Sequence, residues 1–178
     1  MSPSLGPMPV GRRMVTVDEQ LVRSPLAAIF GLARDVERWP AHLPHYRWVR
    51  FHERTDDGGG VVEMAAWRPF GPLRWPTWWL SEMSVDEARP AVRFRHVRGI
   101  TRGMEVEWSF EPAAGGTAVR VVHVWDGPRW PVIGAPAATI VIGPVFIHGI
   151  AALTLAGLAV TAERAKGYAP TQRNGEIE

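Results

Sequence analysis

From Trp130 to Ala162 the chain runs 33 residues without an Asp, Glu, Lys or Arg. A stretch this apolar either spans a bilayer or closes the wall of an internal cavity, and the two lead to different proteins. Spanning as a helix takes about 20 consecutive apolar residues. Here Pro131, Pro136 and Pro144 interrupt the run, and the remaining piece carries His148, Thr154 and Thr161 before reaching Glu163, Arg164 and Lys166. Charges in a last turn suit a helix that surfaces in water at its C-terminus. No basic cluster precedes the run to orient it across a membrane. The reading adopted is a helix over Pro144–Lys166 that covers a cavity.

A chain of 178 residues suits one domain with a full core. With no cysteine there is no disulfide, thiolate metal site or cysteine nucleophile, which fits a cytoplasmic protein. The first 13 residues lack a signal-peptide core and read as a flexible tail. Residues 14–167 form the domain, and 168–178 a polar C-terminal tail. Lys166 is the sole lysine, and the arginines are interleaved with acids, so no nucleic-acid face is expected. Nine tryptophans supply flat, polarisable surface suited to core packing or to a flat ligand.

Turn signals cut the middle of the chain into strands. A first strand over Val15–Val22 precedes helices over Pro25–Leu32, capped by Ser24, and over Arg34–Trp39. Six strands follow, over Tyr46–Arg54, Val61–Arg68, Arg74–Asp86, Val92–Gly99, Met104–Glu111 and Thr117–Trp125. Residues two apart on a strand share a face. Charged neighbours therefore turn Thr77, Trp79, Ser81 and Met83 inward, with Val92, Phe94 and His96, with Met104, Val106 and Trp108, and with Val119, Val121, His123 and Trp125. Glu63 and Trp67 share a face of their strand, and Glu63 is a candidate for the interior. The strand from Tyr46 is ambiguous. A curved sheet cannot cover its own concave face, and the long helix, bringing His148, Thr154 and Leu155, can.

Three histidines, His96, His123 and His148, are thus expected to converge in an apolar space, where they can orient carbonyl groups or move protons near neutral pH. They lack the close spacing of a metal motif, so no metal and no cofactor is expected. The segment from Trp67 and Arg68 to Trp79 mixes arginine with aromatics and reads as a bent hairpin at the cavity mouth, where Arg68 can meet an acidic ligand group. The proline-rich stretch Pro128–Pro144 reads as an entrance loop, with a transient membrane contact as its further role.

The element order, together with Asp35-Val36-Glu37-Arg38-Trp39-Pro40, His45-Tyr46, Trp108-Ser109-Phe110-Glu111-Pro112 and the closing Ala152-Leu153-Thr154-Leu155, resembles the START-like helix-grip superfamily. That group holds polyketide cyclases/dehydrases and lipid- or quinone-binding proteins. The resemblance implies an α+β fold, a seven-stranded antiparallel sheet wrapped around a long C-terminal helix with two short helices after the first strand. Trp39-Pro40, Tyr46, Trp79 and Ser81 are similar to an arrangement in bacterial aromatic-polyketide aromatase/cyclases. Those enzymes place an arginine two residues beyond the serine, where this chain has Met83. The function expected is binding of an aromatic or polyketide-like molecule, as a cofactor-free aromatase/cyclase or dehydratase. His96, His123 and Tyr46 would transfer protons and Ser81 would hold an oxygen. Trp67, Arg68, Trp79, Met83, Trp108, Trp125, His148, Thr154 and Leu155 would line the site. The competing reading is a non-catalytic carrier of a lipid, quinone or isoprenoid. The protein is a monomer or homodimer on either reading.

Overall fold

Seven antiparallel strands form one sheet in the order β1-β7-β6-β5-β4-β3-β2. A computed structural model of the chain describes residues 5–70, 73–127 and 148–167. The strands are β1 (Met14–Val22), β2 (Tyr46–Arg54), β3 (Gly60–Phe70), β4 (Leu73–Asp86), β5 (Ala91–Gly99), β6 (Glu105–Ala113) and β7 (Gly116–Trp125). Between β1 and β2 lie α1 (Leu26–Arg34), a 3₁₀ turn (Val36–Arg38) and the one-turn α2 (Trp39–His42). The chain closes with α3 (His148–Gly167). This is the helix-grip architecture. Every sequential strand pair from β2 to β7 is a hairpin neighbour, and β1 returns to pair with β7.

The alternation argument places the inner faces of β4 to β7. Thr77, Trp79, Ser81, Met83, Val92, Phe94, His96, Val106, Trp108, Val119, Val121, His123 and Trp125 are all buried. On the outer face Arg93, Arg95, Glu105, Glu107 and Glu82 form a ladder of ion pairs. The side chain of Arg93 is only 12% exposed, so the outward arginines are partly covered and not fully solvated. Part of that cover comes from the N-terminal residues. Leu5 is buried and its carbonyl accepts from Arg95, while Arg12 and the Arg13 amide bind Asp126.

One expectation, the cap, is corrected, and two elements take an orientation that the sequence left open. Ser24 does not cap α1; its hydroxyl reaches the Ala162 carbonyl of α3 at 3.4 Å, and its own carbonyl accepts from Thr117. Helix α3 is buried along one side only. Ile150, Ala151, Thr154, Leu155, Leu158, Ala159 and Ala162 form its buried stripe, whereas Leu153 is 47% exposed and Val160 46%. The second strand changes face along its length: the register breaks between Tyr46 and Trp48, so Tyr46, Val49 and Phe51 lie beside inward residues of β3. One extra residue shifts the two-residue phase, which is what a β-bulge does.

Helix α3 packs chiefly on β1, α1 and α2. It therefore rests on the β1 edge and on the short helices, opposite the concave face. At the other side His45 joins it, with Nε2 3.0 Å from the Thr154 hydroxyl. Among the described residues no helix is long and apolar enough to cross a membrane. The Pro128–Pro144 stretch and the 168–178 tail lie outside the described residues.

Candidate functional site

The centre of the concave face is a layer of rings. Trp39 packs edge-on to Tyr46 (centroids 5.2 Å apart) and tilted to Trp108 (5.9 Å) and Phe94 (6.3 Å). Tyr46 meets Trp79 at 6.2 Å, and Trp79 stacks on His96 at 5.8 Å with 16° between planes. Trp39 arrives because the short turn after α1 folds it inward, where its indole N–H donates to the Leu32 carbonyl. Edge-to-face and offset stacks of this kind add to the area each ring buries. These rings cover one another, so the described side chains of the face expose little surface of their own.

Polar groups are set into this apolar layer. Ser81 and His96 are directly opposite each other across β4 and β5. Ser81 is 0% exposed, and among the described residues its hydroxyl has no hydrogen-bond partner. A buried polar group without a partner is uncommon and costs free energy unless something supplies one. His96 is held at Nδ1 by the Thr101 hydroxyl, 2.6 Å away in the β5–β6 turn. His123 stands two strands further along the sheet, with Nδ1 3.3 Å from the Thr16 hydroxyl of β1. At about 4.8 Å per strand, that separates the two histidines by on the order of 10 Å. The expected convergence of three histidines is therefore not what the described residues show. Tyr46, Trp79, Ser81 and His96 make one group and His123 with Thr16 another, while the side chain of His148 lies outside the described residues, as does that of Arg68.

The remaining candidates divide. Met83 and Trp108 are buried on the inner face. Trp125 is buried there too, its indole N–H donating to the Arg102 carbonyl. Thr154 and Leu155 lie on the buried stripe of α3. Glu63 and Trp67 do not face inward. In the β3–β4 register Val62, Met64 and Ala66 oppose Ser81, Trp79 and Thr77, which puts Glu63 and Trp67 on the outer face. There Glu63 accepts from the Trp78 indole and pairs with His52 at 2.9 Å, and these contacts hold its carboxyl below the usual range, His52 contributing most. The guanidinium of Arg47 lies 4.7 Å over the Trp67 ring. Neither residue can touch a ligand on the concave side. Thr101 and Thr16 escaped the sequence reading, because a threonine in a turn or on an edge strand carries no local mark of its histidine partner.

Residues 22–145 match the family described as polyketide cyclase/dehydrase and lipid transport. The chain belongs to that family. Within it, the chain is 29% identical over 107 residues to a Streptomyces halstedii protein described as a candidate polyketide cyclase, covering 59% of this chain and 94% of that one. Among solved structures, it superposes on the Zhui aromatase/cyclase from Streptomyces sp. R1128 with a TM-score of 0.73 at 17% identity, covering 85% of this chain and 94% of that chain. A START superfamily protein from Mycobacterium smegmatis gives a TM-score of 0.64 at 15% identity over 85% of this chain and 98% of that one. At such identities the structural matches speak for the fold. The family unites ring-closing enzymes with lipid carriers, and the fold hosts both.

Proposed function

We propose that this family member binds a flat, keto-bearing aromatic or polyketide-like molecule between the concave face and α3, and acts on it as a cofactor-free aromatase/cyclase or dehydratase. The observation that carries the reading is the Ser81 hydroxyl, fully buried and unpartnered among the described residues, set beside His96 in a layer of aromatic rings. A hydroxyl in that position is a ready partner for a carbonyl oxygen, and stacked rings favour a flat, unsaturated body.

The chemistry needs no external oxidant or metal. A base removes a proton from a methylene between two carbonyls; the resulting enolate carbon bonds to a second carbonyl carbon. That oxygen takes up a proton, and loss of water leaves the new double bond. On this reading Ser81 and His96 hold an enolate or carbonyl oxygen, with His123 and Tyr46 as further proton-transfer groups. Holding the poly-keto chain folded supplies the rest of the acceleration. The domain doing this spans 14–167 and works in the cytoplasm.

The test compares emodin, a flat polyphenolic ketone, with oleate, read by quenching of tryptophan fluorescence. Emodin binding that weakens in Ser81→Ala supports the proposal. Oleate binding with no emodin binding overturns it in favour of the carrier reading, which the buried Met83 beside this site favours.

A further inference from the structure

The β3–β4 hairpin runs past the rest of the sheet. β2 pairs with β3 no further than Ala66, and β5 pairs with β4 no further than Trp79. The Trp67 amide donates to the His45 carbonyl, and from there to Phe70, and from Leu73 to Trp78, the two strands pair only with each other. At about 3.3 Å per residue, this ribbon reaches roughly 10 Å beyond its neighbours. Trp75 and Trp78 stand on it, 59% and 39% exposed. Among the described residues no other tryptophan, tyrosine or phenylalanine is exposed. The two rings project from opposite faces. The inward phase of β4 runs through Thr77 and Trp79 and so includes Trp75, whereas Trp78 is out of phase with it.

Basic side chains surround this end of the sheet. Arg74 is exposed beside Trp75. On β2, Arg47 lies 4.7 Å over the Trp67 ring and Arg50 lies 5.0 Å over that of Trp48. Arg98 of β5 is exposed opposite Leu80 of β4. Among the described residues none of these four arginines forms a salt bridge, unlike Arg93, Arg95 and Arg120 elsewhere on the sheet. Glu63, the carboxylate among them, already accepts from the Trp78 indole and pairs with His52.

Excess positive charge calls for an anionic partner. A second copy of the chain would set the same charge against itself. A single nucleic-acid strand lies in a groove and stacks its bases on free ring faces, whereas Arg47 and Arg50 already cover a face of Trp67 and of Trp48. A protein surface covers a ribbon from one side, which leaves Trp75 or Trp78 in water. The headgroup layer of a bilayer surrounds an inserted ribbon on both sides, and indoles and basic side chains gather there.

We propose that the projecting end of the β3–β4 hairpin docks the protein on an anionic phospholipid surface, with Trp75 and Trp78 in the headgroup layer and the four arginines facing its negative charge. The docking does not depend on which ligand the concave face takes.

The full chain is sedimented with vesicles of phosphatidylcholine alone, and with vesicles holding roughly one third phosphatidylserine. It should pellet with the anionic vesicles far more than with the neutral ones, and less at high salt. Arg74→Gln should weaken that binding roughly fivefold, the share of one basic side chain near such a surface. Trp75→Ala should weaken it as well, and Trp75→Tyr, which keeps an interfacial ring, should retain most of it. Both side chains are exposed, so each variant should keep the wild-type Tm. Bromine-labelled lipid should quench the tryptophan fluorescence of the wild type, and quench less in Trp75→Phe. No pelleting with anionic vesicles, or pelleting unmoved by both Arg74→Gln and Trp75→Ala, overturns the proposal. Capture of an oligothymidylate in place of the vesicles also overturns it and gives the surface to a nucleic acid.

Discussion

Single side chains here divide between those that hold the fold and those kept for a ligand, and stability measurements separate them. Ser81 has no partner among the described residues, so removing its hydroxyl deletes a desolvated polar group rather than a bond. Ser81→Ala should leave stability unchanged or raise it by about 1 kcal/mol in urea unfolding, while weakening emodin binding. A clear loss of stability would mean that Ser81 has a structural partner. Asp57 is the opposite case. Burial pushes its carboxyl up, but the Thr55 hydroxyl and the Gly59 and Val85 amides outweigh that and hold it below the ordinary value of 3.8. A carboxylate with a depressed folded pKa contributes stability above its unfolded pKa and loses it as pH falls through the folded one. Asp57→Asn should therefore be less stable than wild type at neutral pH, and the two urea midpoints should converge as the pH drops below 3.8.

Elements take their orientation from packing that single residues do not announce. The apolar composition of α3 announces burial without saying which stripe is buried, since nearly every position in its first turns is apolar. The contacts to β1, α1 and α2 decide it. Leu155→Ala should then cost about 2–5 kcal/mol, as for a buried leucine, and Leu153→Ala within about 0.5 kcal/mol, both read from urea unfolding. Equal losses would mean that the stripe is assigned wrongly. At the start of β3, Gly60 has φ of 138°, and a Cβ there would come within 2.0 Å of the Glu53 carbonyl oxygen. Gly60→Ala should cost about 1–3 kcal/mol or more through strain and loss of the β2–β3 pairing.

For the whole molecule, the sheet and α3 meet mainly along the β1 edge and through the short helices, so a ligand seated between them should tie the two together. Anything bound only by the folded state stabilises it by RT ln(1 + [L]/Kd), about 2.7 kcal/mol at a hundredfold excess over Kd. Emodin at that excess should raise Tm by roughly 5–11 °C and oleate should not. The reverse ranking would identify a carrier.

Much of this was legible without coordinates. The charged residues of β4, β5, β6 and β7 marked the outward phase of each strand and so determined its inner face, because the two-residue period of a strand is a local property. It turned His96, His123, Ser81, Trp79 and Trp108 inward, and the order of elements resembled a helix-grip fold. What lay beyond the sequence was every relation between strands. The bulge at Tyr46 settled β2, the β3–β4 register turned Glu63 and Trp67 outward, and β5 and β7 held His96 and His123 apart. Thr101 reached His96 only because a glycine-flanked turn reversed the chain. Periodicity belongs to one segment, whereas register and distance belong to pairs of segments, and those pairs exist only once the chain has folded.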